Sequence, residues 1–386
     1  MIRTLKYCAA LVAAVLLGGD VLAAASLAGA SPAGFDLGAW LGASEVTVGF
    51  LIIGATLATN ALTLADLAKR LGPDDMVARI IELLRQTNPI LEEMPWLEGN
   101  LISGHRTTVR TGLPTVAWRL LNAGIQPSKS HTAQIDEPVG MLEAYSSVDK
   151  DLAELGGQVN AVRLSEARAF IEAMNQEMAQ TLFYGAATSP EEFVGLSPRY
   201  SALTGAGNSD NVIDGGSNDT DNASIWLIAW DAETLCGIYP KGSRAGLSHE
   251  DLGLDTVENA GGVTGALMRA YRDHWQWKAG IAVKDWRYAV RIANIEVSDL
   301  TFDAATGANL VNLMTDAEER IPNELGTRAF YMNRTLRRYL RHQSNKYVQS
   351  GGGTTFENIG GKRVMMFGTT PVRVTDALIN TEAVVS

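Results

Sequence analysis

LSEARAFIEAMNQEMAQTLFY, residues 164–184, decides how this chain is read. The stretch has no Gly or Pro in 21 residues, and Leu164, Ala167, Ile171, Met174, Met178 and Leu182 recur every three or four positions. That spacing gathers them on one face of a helix about 30 Å long, enough to cross a whole domain. Gly185 ends it, and the phrase PEEFVGLSPRY follows. A Met-rich stripe is ordinarily core packing. What sets this helix apart is its company: an extended arm before it, a polar loop after it, and no set of residues suited to chemistry anywhere in the chain.

The arm runs over residues 104–148. HRTTVRT, VAWRLL, HTAQIDE and MLEAYSSV read as strands, broken by Gly112, Pro114, Gly124, Pro127, Pro138 and Gly140. A compact domain rarely spends so long an excursion without a helix. Such an arm cannot bury its own faces and needs a neighbour. Arg106, Arg110 and Arg119 beside Trp118 have the composition of a subunit interface, where Trp and Arg are enriched. An ordinary edge hairpin with snorkelling arginines fits the same local sequence.

Upstream, residues 62–91 carry a helical pattern in two pieces. Val77, Ile80, Ile81 and Leu84 stripe the second, Asp74 caps it and Asn88-Pro89 ends it. PILEEMPWLEGN reads as an irregular connector. After the long helix, residues 205–222 form an Asn/Asp/Gly tract without EF-hand spacing, read as a solvated loop. SIWLIAW is a buried strand. The alternation over residues 268–297 suggests two long antiparallel strands or one bent ribbon. Two helices follow, one over Leu310, Leu313, Met314, Ala317 and Ile321, the other opened by Asn333. KRVMMFGTTPVRVTDAL closes the chain as a hairpin around Gly368. Helices and strands mix without βαβ alternation, which predicts an α+β fold.

The chain has 386 residues, 46% of them hydrophobic, and can bury a large core in two or three structural units. A net charge of −11 argues against a nucleic-acid reader, though it does not exclude contact with packaged DNA, where mild repulsion would keep a container wall from sticking to its contents. Cys8 and Cys236 give no disulfide framework. Residues 1–60 stand apart. Arg3 and Lys6 precede an apolar run with small residues at Ala23 and Ala25, as in a secretory leader. An uncharged stretch between Glu45 and Asp66 is long enough to span a bilayer. A start near Ala61, with the upstream sequence dispensable for the fold, explains the same features.

Chemistry finds no foothold. The histidines 105, 131, 249, 274 and 342 lack ligand spacing, and Ser197, Ser243 and Ser248 lack the nucleophile elbow. Gly360-Gly361-Lys362 fails as a P-loop because Arg363 stands where Ser or Thr would meet magnesium. His274 reads as packing among aromatics, and the Glu pairs at 92–93, 191–192 and 318–319 as solvated ends. Arg334, Arg337, Arg338 and Arg341 form one basic helical face, read as salt-bridged to acidic residues here or on another subunit. The expectation is no enzyme, no cofactor and no metal site.

Several long phrases carry a resemblance: LADLAKR, GHRTTVRTGLPTVAWRLLN, EMAQTLFYG, IYPKGSRAGL, YRDHWQWKAG, DWRYAVRIAN and FYMNRTLR. With the order arm, long helix ending TLFYG, then EFVGL, they resemble the major capsid proteins of short-tailed bacteriophages and related prophages, which have the Hong Kong 97-type fold. The resemblance covers about five-sixths of the chain, from Ala61 to the end, and has no counterpart for residues 1–60. It implies an N-arm at 61–103 and an extended loop at 104–148 over an adjacent subunit. A peripheral domain at 149–223 would hold the spine helix, with an axial domain at 224–347 and return strands at 348–386. It further implies hexamers and pentamers of an icosahedral shell assembled in the host cytoplasm around double-stranded DNA. Portal, scaffolding and decoration proteins would be its partners. The Lys–Asn crosslink of some members has no matching motif here. An encapsulin-like compartment has the same fold, and an exported, membrane-anchored binding protein rests on residues 1–65 alone.

Overall fold

The computed structural model describes residue 66 and residues 85–205, 207–258, 265–322, 325–348, 354–359 and 362–386. The leader-like segment, the apolar stretch before Asp66 and the helical stripe at residues 77–84 lie outside the described residues. In chain order the elements begin with α1 (Ile90–Glu93), β1 (Trp96–Glu98), β2 (Gly104–Gly112), β3 (His131–Pro138), β4 (Gly140–Asp149) and α2 (Lys150–Glu154). The long helix α3 (Val159–Tyr184), α4 (Leu196–Arg199), β5 (Val212–Asp214), β6 (Asn222–Trp230), β7 (Leu235–Tyr239), β8 (Leu247–Glu258) and β9 (Leu267–Val283) follow. Then come β10 (Ala289–Glu296), α5 (Leu310–Arg320), β11 (Thr327–Met332), α6 (Arg334–Val348), β12 (Thr354–Ile359), β13 (Lys362–Phe367) and β14 (Thr370–Val374).

Twelve of the strands share one sheet, and β2 and β3 stand apart as a two-stranded ribbon. One run of the sheet is ordered β5-β10-β6-β11-β14-β13-β12, with β10 and β11 both antiparallel to β6. β6 is buried along its whole length, as SIWLIAW predicts. A strand flanked on both sides has no solvent face, so its sequence is continuously apolar rather than alternating. β7 pairs antiparallel with β9, and parallel with β1.

The chain divides into two compact units. In the smaller, residues 146–164 and 252–273 carry a cluster of Val148, Ala153 and Val162, with Tyr271 packed on it. Arg163 reaches Asp273 there at 2.8 Å, and its guanidinium lies 5.4 Å from the Tyr271 ring centroid. The larger unit, residues 81–145, 165–251 and 274–386, holds the main core. Its centre is aromatic: Trp226 lies 5.7 Å from Tyr200, edge-on, and 6.2 Å from Phe183.

The long helix starts five residues earlier than the apolar stripe suggests, directly after Gly157 and Gln158. Met174, Met178 and Leu182 are buried as expected, but Leu164 and Ile171 are 55% and 42% exposed. The stripe is therefore core only in its second half. The helix ends where Gly185 N–H donates to Thr181 O, and Gly195 N–H donates to Gly185 O at 2.9 Å. A Cβ on Gly195 would stand 2.6 Å from Thr181 O, so the two glycines of TLFYG and EFVGL close this end by backbone contact.

Three other expectations are corrected. The tract 205–222 is not a solvated loop: Asn211, Val212 and Ile213 are buried and β5 joins the sheet. Asn211 Nδ2 donates to the carbonyls of Arg287 and Ala289, both at 2.9 Å, so a polar side chain here staples a buried strand end. β9 and β10 do not pair with each other. Asp285 caps a one-turn 3-10 helix at Trp286–Tyr288, which redirects the chain, and β9 instead pairs with β7, β4 and β8.

The glutamate pairs are likewise not all solvated. Glu93 accepts from Arg373 and from the Tyr331 hydroxyl. Glu318 is pushed above the ordinary carboxylate range, chiefly by burial. A raised folded-state pKa favours the neutral form, so this group's contribution is full at low pH and lost as pH rises through that value. Glu318→Gln should therefore raise the melting temperature at pH 7 and leave it nearly unchanged at pH 3.5. An equal shift at both pH values would show that charge burial is not the cause.

Candidate subunit interface

The β2–β3 ribbon pairs Gly104 with Pro138 at its root and Gly112 with His131 at its far end. Seven of the eight residues of β3 are exposed, and only Glu137 is buried. A two-stranded ribbon that buries so little is marginal by itself. Its root supplies the anchor. Arg199, on α4, grips Glu137 with two hydrogen bonds of 2.6 Å while also donating to Val194 O and Gly195 O. A paired fork of this kind fixes direction as well as distance. Gly104 makes the close approach possible, since a Cβ there would sit 2.2 Å from Glu137 O. Beside this root, burial and then the Lys284 ammonium push the His105 imidazole below its usual value, with Glu137 opposing.

Arg106 and Arg110 fall four residues apart on β2, hence on one face of the ribbon. Arg106 is opposite Asp136 and makes a bidentate pair with it, both contacts 2.6 Å, while Arg110 is opposite Thr132 and exposed. Trp118 and Arg119 lie beyond the ladder, in the loop of residues 113–130. VAWRLL is thus not a strand. Leu120 O accepts from Ala123 N–H at 3.1 Å, and Thr115 O accepts from Ser128 Oγ at 2.8 Å, which shapes the loop tip. Trp118 is completely exposed, and Leu113, Val116, Leu120 and Leu121 are each at least 79% exposed. Five large apolar side chains thus stand in water within nine residues, a density of exposed apolar groups unusual for a monomeric surface. The buried Glu137–Arg199 anchor escapes sequence reading, because 62 residues separate the partners.

The sequence profile of the family Major capsid protein GP7 matches residues 72–386. The chain belongs to that family. As a phage major capsid protein of Hong Kong 97-type fold, it is similar to the capsid protein in the near-atomic-resolution structure of bacteriophage Epsilon15. That likeness has 31% identity and a TM-score of 0.68, over 85% of this chain and 98% of that one. Weaker likenesses include the bacteriophage JBD30 capsid, with 9% identity and a TM-score of 0.41 over 80% of this chain and 99% of that one. The SrpI encapsulin of Synechococcus elongatus PCC 7942 gives 10% identity and a TM-score of 0.38, over 60% of this chain and 96% of that one. No curated protein sequence matches the chain.

Two histidines of this capsid protein pack against aromatic rings. His274 stacks on Tyr145 at 4.5 Å between Glu143 and Glu250, and His249 stacks on Trp275 at 4.1 Å. His249 and Glu250 point away from each other, as neighbours on a strand must.

Proposed function

We propose that the capsid protein self-assembles into hexamers and pentamers of an icosahedral shell around phage double-stranded DNA. It acts as a structural subunit and not as an enzyme. The observation that carries this reading is the exposed apolar end of the arm at 113–125, on a ribbon rooted in a buried ion pair. Such an arm gains order and burial from a neighbour. Residues 104–148 are the loop lying over the adjacent subunit, with Trp118 as anchor and Arg106, Arg110 and Arg119 around it. Residues 61–103 serve as N-arm, 149–223 and 348–386 as peripheral domain, and 224–347 as axial domain. Assembly takes place in the host cytoplasm with portal, scaffolding and decoration proteins, and the inner wall touches DNA without reading its sequence.

An encapsulin-like compartment would have the same fold and a protein cargo instead. Nuclease treatment of particles purified from the host separates the two. A DNA shell protects genome-length double-stranded DNA, released only when the particles are broken. Particles holding protein cargo and no protected DNA would replace the phage reading with the compartment.

A further inference from the structure

The root of the arm is gripped on both of its strands. On β3, buried Glu137 takes the Arg199 fork, and Arg199 is itself fixed: its Nη2 donates to Val194 O at 3.1 Å, and its backbone carbonyl accepts from Asn208 Nδ2 at 3.0 Å. On β2, Asn100 exchanges two hydrogen bonds with the backbone of Arg106. Its Oδ1 accepts from Arg106 N–H at 2.7 Å and its Nδ2 donates to Arg106 O at 2.8 Å. The preceding Gly99 N–H donates to Tyr239 O at 2.8 Å, which ties Asn100 to the end of β7. Backbones meet here with no room for side chains. A Cβ on Gly99 would stand 2.5 Å from Gly104 O, and one on Gly280, in β9, would stand 2.6 Å from Pro138 O.

This rigidity gains the isolated subunit little. Seven of the eight residues of β3 are exposed, so the ribbon covers no core, and a buried ion pair is by itself a weak source of stability. Holding the ribbon in one direction also costs conformational entropy. The gain appears once the tip has a partner. Strand rise makes β2 about 27 Å long from Gly104 to Gly112, so a swing of about 10° at the root moves its far end by about 5 Å. Apolar side chains touch only within about 4 Å. Trp118 lies beyond that end, so such a swing takes it out of contact.

We infer that Arg199 and Asn100 are positioning residues for assembly: they preset the direction in which each subunit holds its arm before a neighbour arrives. This rests on the reading above that the arm lies over an adjacent subunit. A segment already aimed in its bound direction avoids the ordering cost at the moment of association. Both residues act through the ribbon. The Arg199 guanidinium is engaged by Glu137, Val194 O and Gly195 O, and the Asn100 amide by Arg106, all within one chain. The fork fixes the β3 side by charge and geometry, the amide fixes the β2 side by geometry alone, and two grips leave the ribbon no single axis to swing about.

The test uses the full-length, unassembled protein with nitroxide labels at Ala123→Cys on the arm and Glu233→Cys on the body, in a Cys8→Ser background; Cys236 is buried. Three quantities are read: the width of the label-to-label distance distribution, the melting temperature, and the fraction that sediments as shells. E137L/R199M removes both charges, a change that is often neutral for folding, and should broaden the distribution about twofold and cut the shell fraction about tenfold at a near-normal melting temperature. Arg199→Lys keeps the charge without the fork and should shift both readouts the same way. Asn100→Ala should do so too. Because Asn100 is exposed, this variant keeps the test decisive if the double variant does not fold. Wild-type shell yield from Arg199→Lys and Asn100→Ala, or a distribution already broad in the wild type, overturns the positioning role. Lost shells with an unchanged distribution also overturn it and assign these side chains to a direct subunit contact. Trp118→Ala separates the two readings. If it loses shells while the root variants assemble, only the positioning role fails; if it too assembles normally, the arm-docking reading fails with it.

Discussion

Glu382→Ala should cost the folded subunit about 3–5 kcal/mol, the range for removing one partner of a buried ion pair. Glu382 and Arg291 are each only 4% exposed and meet at 2.8 Å. Around them the network is complete. Arg291 donates to Ser224 Oγ at 3.1 Å and to Tyr200 O at 2.8 Å, and lies over the Trp226 ring. Glu382 accepts from the hydroxyls of Ser224 and Tyr184. Its backbone N–H donates to Asn222 O at 2.9 Å, and three residues on, Val385 exchanges two hydrogen bonds with the Asn294 side chain.

This tail thus ties the end of the long helix to β6 and β10. Removing the carboxylate strands a guanidinium among aromatic rings, where no water replaces the lost partner. Arg291→Met combined with Glu382→Leu removes both charges and should recover most of the loss, because apolar replacement of a whole buried pair is often neutral. Urea unfolding of the purified subunit measures both. A Glu382→Ala loss below about 0.5 kcal/mol, the level of an ordinary surface change, would mean that the tail is not clamped as described.

Little of that clamp was legible in the sequence. Arg291 and Glu382 are 91 residues apart, and the tail has neither the period of a helix nor that of a strand. Local pattern did reveal what depends on one element. The stripe of Met174, Met178 and Leu182 gave the buried half of the long helix, Asn333 caps α6 through a 2.8 Å bond to Leu336 N–H, and the turn at Gly368 joins β13 to β14. Pairing was harder. Residues 268–297 do form strands, but β10 is buried on both faces rather than alternating, pattern does not report neighbours, and Asp285 turns the chain between β9 and β10. The buried Asn211 misled for a related reason: a polar residue whose donors meet carbonyls is as much core as a leucine. In the stretch 104–148 the strands at HRTTVRT and HTAQIDE were legible from their turn residues, whereas MLEAYSSV belongs to the main sheet as β4 beside β9, a pairing that local pattern does not report.

Trp118→Ala should leave a soluble subunit with a near-normal melting transition and few closed shells. The side chain is fully exposed in the single chain, so its removal takes nothing from the core. Truncating an interface Trp costs about 2–4 kcal/mol per contact. Rotational symmetry repeats that loss at every subunit of a capsomer, so assembly suffers far more than folding. Met174→Asp gives the opposite result, because Met174 is 3% exposed and an unpaired charge there unfolds the subunit. Sedimentation of the assembled fraction beside thermal melting of the soluble fraction separates these effects. A Trp118→Ala subunit that melts early yet still forms shells would place the arm in its own core.

The most direct measurement is a cryo-electron-microscopy reconstruction of the native particle, read at Trp118. The expected result is a closed shell of hexamers and pentamers in which Trp118, wholly exposed in the isolated chain, is buried against the neighbouring subunit with Leu120 and Leu121 around it. A closed shell in which the 113–130 loop stays in solvent, or a protein that remains monomeric with that loop exposed, would contradict it.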